Sequence, residues 1–163
     1  MGRTKSQYKN LYEEFRIIGV YRALVVDVYD GDTITCVFDP FPESQYSKKY
    51  WFKVRLMGID TPEMKPTKSP AGRPYTSEEK KYIKSLAEQA RKILQEHILN
   101  NEIIIHIHDV REKYGRLLGD IYPISCADQL LSNEDSYNHM LCNTTLARRY
   151  TGGTKYDWTE YQL

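Results

Sequence analysis

One helix limits this chain more than any other feature. Thr76-Ser77-Glu78-Glu79 has the pattern of a capping box, a hydroxyl followed three residues later by a glutamate. Behind it Ile83, Leu86, Ala87, Ala90, Ile93, Leu94 and Ile98 recur at helical spacing, and Asn100-Asn101 stops the run. Three β-rich runs precede the helix: Val20 to Val28, Thr33 to Phe38 and Trp51 to Met57. Two come after it, Glu102 to His108 and Leu117 to Tyr122. Asp30-Gly31-Asp32 reads as a tight hairpin turn between the first two runs, and Tyr114-Gly115 as a turn into the fifth. A further capping pattern at Ser132-Asn133-Glu134-Asp135 predicts a helix through about Thr144. A short helix is expected within residues 5–16. Three strands, a helix, two strands and a helix fit an α+β chain built on a small barrel of the OB type.

Composition narrows the class. The 163 residues suit one domain with its own core. The formal net charge is +1, so bulk charge does not coat nucleic acid, and any contact with it is made at a local patch. The three cysteines, Cys36, Cys126 and Cys142, are scattered and lack a zinc spacing, as expected of reduced thiols inside a cell. No apolar stretch follows the basic start and none has membrane length, so an intracellular chain without a membrane contact is expected.

The stretch Arg55 to Glu63 carries the first chemical signal. A strand ends there in Asp60-Thr61-Pro62-Glu63, and Pro62 fixes its own φ while biasing Thr61 toward an extended conformation. Carboxylates held beside a guanidinium suit a hard cation and a phosphate. Asp30 and Asp32 are further acidic candidates, and Arg116, next to Lys113-Tyr114-Gly115, is a second basic one. Taken singly, each is ordinary turn or surface chemistry. His106 and His108 share one strand face, and with no cysteine or third histidine nearby the expectation is an ordinary face and no zinc site.

Together, three blocks resemble the staphylococcal nuclease family. They are Val26-Asp27-Val28-Tyr29-Asp30-Gly31-Asp32-Thr33-Ile34, then Val54-Arg55 through Glu63, then Lys113-Tyr114-Gly115-Arg116. A weaker fourth block, Asn143 to Tyr150, has Thr145 where the family motif has glycine. The resemblance implies a five-stranded OB barrel with about three helices over residues 20–150, with 1–19 as an N-terminal extension and 151–163 as a tail. It implies a metal-dependent nuclease that hydrolyses DNA and possibly RNA, single-stranded or frayed, with low sequence specificity, to 3′-phosphate ends. Its cofactor would be one Ca²⁺, with Mg²⁺ or Mn²⁺ as substitutes, and the chain would act as a monomer. Asp32, Asp60 and the Thr61 carbonyl then correspond to the metal ligands. Arg55 and Arg116 correspond to the phosphate-binding arginines and Glu63 to the group that orients or deprotonates water. Lys113, Tyr114 and Tyr150 correspond to substrate-binding positions. This assignment requires Asp32 and Asp60 to share one cation-sized gap, with Arg116 directed at it from the side facing Arg55. A non-catalytic OB module that binds single-stranded nucleic acid or a protein partner is the alternative.

Overall fold

The computed structural model describes residues 2 and 4–161; the outermost parts of the expected extension and tail lie outside the described residues. Its centre is a closed barrel of five strands: β1 (Gly19–Asp30), β2 (Thr33–Phe38), β3 (Tyr50–Leu56), β5 (Glu102–Ile107) and β6 (Leu117–Pro123). The order around the barrel is β1-β2-β3-β6-β5. All neighbours are antiparallel except β3 and β6, which run parallel and close it. Closure leaves these strands without a free edge. Between β3 and the long helix lies the two-residue β4 (Ile59–Asp60), which pairs with β7 (Arg148–Arg149). The family expectation of an OB barrel holds, with α1 (Lys5–Leu11), α2 (Ser77–Ile98) and α3 (Tyr137–Cys142) around it.

Alternation along the strands sends Val25, Val28, Ile34, Cys36, Val54, Leu56, Ile103, Ile105, Ile107 and Ile121 into one core. Leu94 and Ile98 of α2 plug it from one end. The helix begins as its capping box predicts: Glu79 N donates to Thr76 Oγ1 at 3.1 Å, and Thr76 N donates to Glu79 Oε2 at 2.8 Å. Two irregularities in β1 set the orientation of the acidic residue at its end. The register against β2 slips at Val26 and again at Tyr29, and each slip adds one residue to β1. The first reverses the alternation, so Val28 and Asp30 turn inward where Asp27 and Tyr29 otherwise would.

Two details differ from the sequence-based expectation, and a third sharpens it. The helix expected from Ser132 starts later. Residues Asn133–Asp135 form one 3₁₀ turn without a side-chain cap at Ser132, and the buried Ser136 caps α3 by accepting from His139 N at 3.1 Å. The N-terminal helix is shorter than expected, ending at Leu11, and Leu11, Tyr12 and Phe15 stay largely exposed even with the Phe15 ring 5.8 Å from that of Phe41. Gly31 does not need a left-handed φ for its turn; it needs space. A Cβ there would lie 2.9 Å from Thr61 Cγ2 and 3.0 Å from Ala90 Cβ, so the β1–β2 turn is pressed against both the acidic stretch and α2.

Candidate functional site

The close approach at Gly31 brings the acidic turn of the first hairpin onto the end of the third strand. Leu56 N donates to Asp32 O at 2.7 Å and Thr61 N to Asp32 Oδ2 at 3.2 Å. Arg55, paired in register with Thr33 on β2, sits between the carboxylates. Its Nη1 is 3.2 Å from Asp32 Oδ2 and its Nη2 is 3.9 Å from Asp60 Oδ1. These side chains are nearly sealed, Arg55 at 11% exposure, Asp32 at 9% and Asp60 at 4%. Asp60 is held by its strand partner on β7 and by Trp158, whose Nε1 donates to Asp60 Oδ2 at 3.4 Å.

Arg116 approaches from the neighbouring strand. The parallel pairing sets Leu118 opposite Arg55, so Arg116 enters two residues earlier from the loop end. Its Nη1 donates to Thr33 Oγ1 at 3.1 Å, and that hydroxyl donates to Asp32 Oδ1 at 3.0 Å. Glu112 holds the turn in which it sits. Glu112 Oε2 accepts from Tyr114 N at 2.7 Å and Arg116 N at 3.0 Å, while Oε1 accepts from Arg116 Nη2 at 2.7 Å. Gly115 has φ +77°, a conformation that a side chain would strain. Burial opposes Glu112's charge, yet these bonds outweigh it and keep the carboxyl below its usual range. Arg116's own pKa is raised, its burial outweighed by the bond to Glu112.

These groups open into a cleft of about 910 Å³ lined by Asp30, Asp32, Arg55, Glu63, Lys113, Tyr114, Arg116, Tyr150 and Lys155 among others. Glu63 stands at its rim, with 56% of its side chain exposed. Tyr114 is 75% exposed, with the Lys113 ammonium 5.6 Å and the Arg116 guanidinium 5.7 Å from its ring centre. Tyr150 is fixed by its amide, which donates to Gly58 O at 2.8 Å, and by its hydroxyl, which donates to Gly153 O at 3.1 Å. Asp60 and Thr61 face an adjoining cavity of about 390 Å³ on the other side of Glu63, Tyr150 and Lys155. The expected residues therefore meet in one region, but along the wall between two hollows, and Arg55 bridges Asp32 and Asp60.

Two contributors have no signal in their local sequence. Lys155, beyond Gly152-Gly153, reaches back to place its Nζ 3.1 Å from Asp60 Oδ1 and 3.4 Å from Glu63 Oε1. It is carried there by Trp158 and Tyr161, which are buried against Ile83, Leu86 and Ala90 of α2. Glu112 is the other; only its position three residues before Gly115 hints at a turn-holding role.

The donor set fits a hard divalent cation. Three buried carboxylates, Asp30, Asp32 and Asp60, gather about the nearly sealed Arg55 guanidinium. Burial, with the charge of Asp32 added, pushes Asp30 up to about 7. Burial also raises Asp60, against the pull of Lys155. Asp60 Oδ1 is buried without a well-aligned hydrogen bond, the nearby Lys155 ammonium notwithstanding. An oxygen-rich, acid-heavy pocket of this kind is what Ca²⁺ or Mg²⁺ selects. Among the described residues no helix is long and apolar enough to cross a membrane.

Comparison with known proteins places the chain in a family. The family model described as "Staphylococcal nuclease homologue" matches residues 53–162. A protein named "Uncharacterized protein MJ1439" from Methanocaldococcus jannaschii is 30% identical over 139 residues. That match covers 80% of this chain, which spans 59% of the relative's length. A solved structure, the extended Tudor domain TD3 from mouse TDRD1, overlays with a TM-score of 0.46 at 8% identity. It covers 85% of this chain and 97% of that one, a likeness too remote to bear on function.

Proposed function

The chain belongs to the staphylococcal nuclease homologue family, and from that premise we propose that it is a calcium-dependent phosphodiesterase. It cleaves DNA, and RNA as a second polymer, at single-stranded or frayed segments with low sequence specificity, and leaves 3′-phosphate ends. The observation that supports this reading most is the meeting of Asp32, Asp60 and Arg55 within one contact set, with Arg116 a single hydroxyl away. Asp32, Asp60 and the Thr61 carbonyl hold one Ca²⁺, for which Mg²⁺ or Mn²⁺ can substitute. When bound, the ion would supply Lewis-acid polarisation of the scissile phosphate.

The remaining steps belong to the chain's own groups. Arg55 and Arg116 donate N–H bonds to the non-bridging oxygens, whose charge grows toward the transition state, so the contacts lower the barrier instead of only tightening binding. Glu63, exposed at the rim, orients the attacking water and accepts its proton. Lys113 contacts a flanking phosphate. Tyr114 and Tyr150 offer ring faces to unpaired bases, a contact indifferent to sequence and closed to a stacked duplex.

The test is digestion of single-stranded DNA and RNA by the purified monomer in calcium and then in chelator, with end-group determination. The expected result is calcium-dependent fragments with 3′-phosphate ends and a loss of roughly a hundredfold or more in Glu63→Gln at unchanged fold. Chelator-resistant cleavage, 5′-phosphate ends or wild-type rates in Glu63→Gln would overturn it. One observation favours a second reading, a module that holds nucleic acid without cutting: Lys155 already pairs with both Asp60 and Glu63. Retention of single strands in calcium without fragments is its signature.

A further inference from the structure

The outer face of β5 and β6 carries a cluster that the cleft does not use. Alternation turns Ile103, Ile105 and Ile107 into the barrel and sends His106 outward. His108 lies one residue past β5 and keeps the same side, its amide donating to Leu118 O at 2.9 Å. Asp120 is the cross-strand partner of His106 on β6. Register thus gathers two imidazoles and a carboxylate, the imidazoles from one strand and its end, the carboxylate from its neighbour. The rings lie 4.3 Å apart, centre to centre. His108 Nε2 is 2.5 Å from Asp120 Oδ2. One ligand atom from each of the three lies within 4.8 Å of the other two.

Asp120 is also aimed from behind. Its Oδ1 accepts from Asn138 Nδ2 at 3.0 Å, leaving Oδ2 toward the rings. Asn138 is 3% exposed and is itself fixed, donating to Met57 O at 2.9 Å and accepting from Ile121 N at 3.0 Å. A ligating carboxylate oriented by a buried amide is the outer support that metal sites use. The His108–Asp120 hydrogen bond accounts for two of the three groups. The His106 ring forms no hydrogen bond among the described residues, and its placement adds a nitrogen donor where that bond alone needs none.

We propose that His106, His108 and Asp120 bind one divalent transition-metal ion of the zinc class. Two imidazoles and a carboxylate suit borderline ions such as Zn²⁺, whereas Ca²⁺ and Mg²⁺ take all-oxygen sets, so this site and the acidic cleft select different metals. On binding, the ion takes the place of the hydrogen bond between His108 Nε2 and Asp120; the Nε2 proton passes to solvent and Nδ1 takes one up, so the ligating imidazole stays neutral. Three protein ligands leave a fourth position for water, and the partial exposure of all three side chains gives the ion a way in. The site sits at the base of the hairpin whose loop carries Glu112, Tyr114 and Arg116. A bound ion therefore staples the two stems of that hairpin.

The test uses the full chain stripped with chelator and then kept in excess calcium to occupy the cleft. Zn²⁺ is titrated by calorimetry, and Co²⁺ by its visible d–d absorption, into wild type, His106→Gln and His108→Gln. The expected result is one Zn²⁺ equivalent in wild type, affinity lower by about tenfold or more in each variant, and loss of the cobalt bands. Zinc also raises the thermal unfolding midpoint of wild type and raises that of the variants less at the same zinc concentration. His106 has no hydrogen bond to lose, so His106→Gln folds as wild type does without metal and carries the test if His108→Gln does not fold. Zinc stoichiometry and affinity unchanged in His106→Gln, or no zinc uptake by wild type, would overturn the site.

Discussion

The floor and the rim of the cleft are built differently. The floor and the wall behind it, Asp32, Arg55, Asp60 and Thr61, stand on strands or one residue from a strand end and are nearly sealed. The rim, Glu63, Lys113 and Tyr114, stands on loops and faces solvent. A charge on the rim can be removed with little effect on folding, because water screens it. A charge on the floor is part of the packing as well as of the proposed chemistry. Arg55→Ala breaks this comparison hardest. It leaves Asp32 and Asp60 facing each other without their shared counter-ion, and losing one partner of a buried pair costs about 3–5 kcal/mol. Urea unfolding in chelator measures that loss, and nuclease activity falls with it. Glu63→Gln, by contrast, loses activity alone. If Arg55→Ala unfolds at the wild-type midpoint, the floor is not held by charge.

Arg116 sits between these extremes, because its turn depends on one carboxylate. Glu112→Ala removes the acceptor of two amides and of the Arg116 guanidinium. The expected loss of stability is about 1–2 kcal/mol. The larger readout is catalytic, since an arginine displaced by an ångström or less lowers kcat/KM by roughly tenfold or more. Circular-dichroism melting and steady-state digestion give the two numbers. An unchanged kcat/KM would mean that β6 alone positions Arg116.

Legibility in the sequence divides in the same way, between local and distant causes. Helix α2 is written locally, in Thr76, Glu79 and an apolar face, and no distant contact is needed to read it. The barrel order comes from strand runs with turn signals between them. Arg55 and Asp60 are five residues apart on one chain segment, so their approach to each other is open to inspection. Strand β4 is not, because two residues have no periodicity and Ile59–Asp60 exists only through its pairing with Arg148–Arg149. The start of α3 is easily misplaced because Ser132 and Ser136 both suit a cap, and the buried Ser136 carries it. Thr145 stands where the family motif has glycine, and its backbone is left-handed, at φ +66°, a region that favours glycine. The inward turn of Asp30 depends on a register slip at Val26 that no residue type announces. Asp120 joins His106 only through strand register.

Lys155 is the hardest of these to read and joins floor to rim, since its ammonium touches Asp60 on one and Glu63 on the other. Burial works against its charge, but Asp60 and Glu63 outweigh burial and hold its pKa above the ordinary lysine value. In the metal-free chain it therefore competes for the carboxylate that the proposed calcium ion needs. Lys155→Met keeps the aliphatic stem and removes that competitor. For a half-exposed pair worth about 1 kcal/mol, the calcium concentration giving half-maximal activity should fall about fivefold. The same variant, in chelator, loses stability by a similar small amount, because Asp60 has lost a counter-charge. Calcium titration of activity and urea unfolding in chelator separate the two effects. A calcium requirement that rises in Lys155→Met would make the lysine a positioning group for Glu63 instead of a stand-in for the ion. It would also make the segment around Lys155 part of the proposed active site.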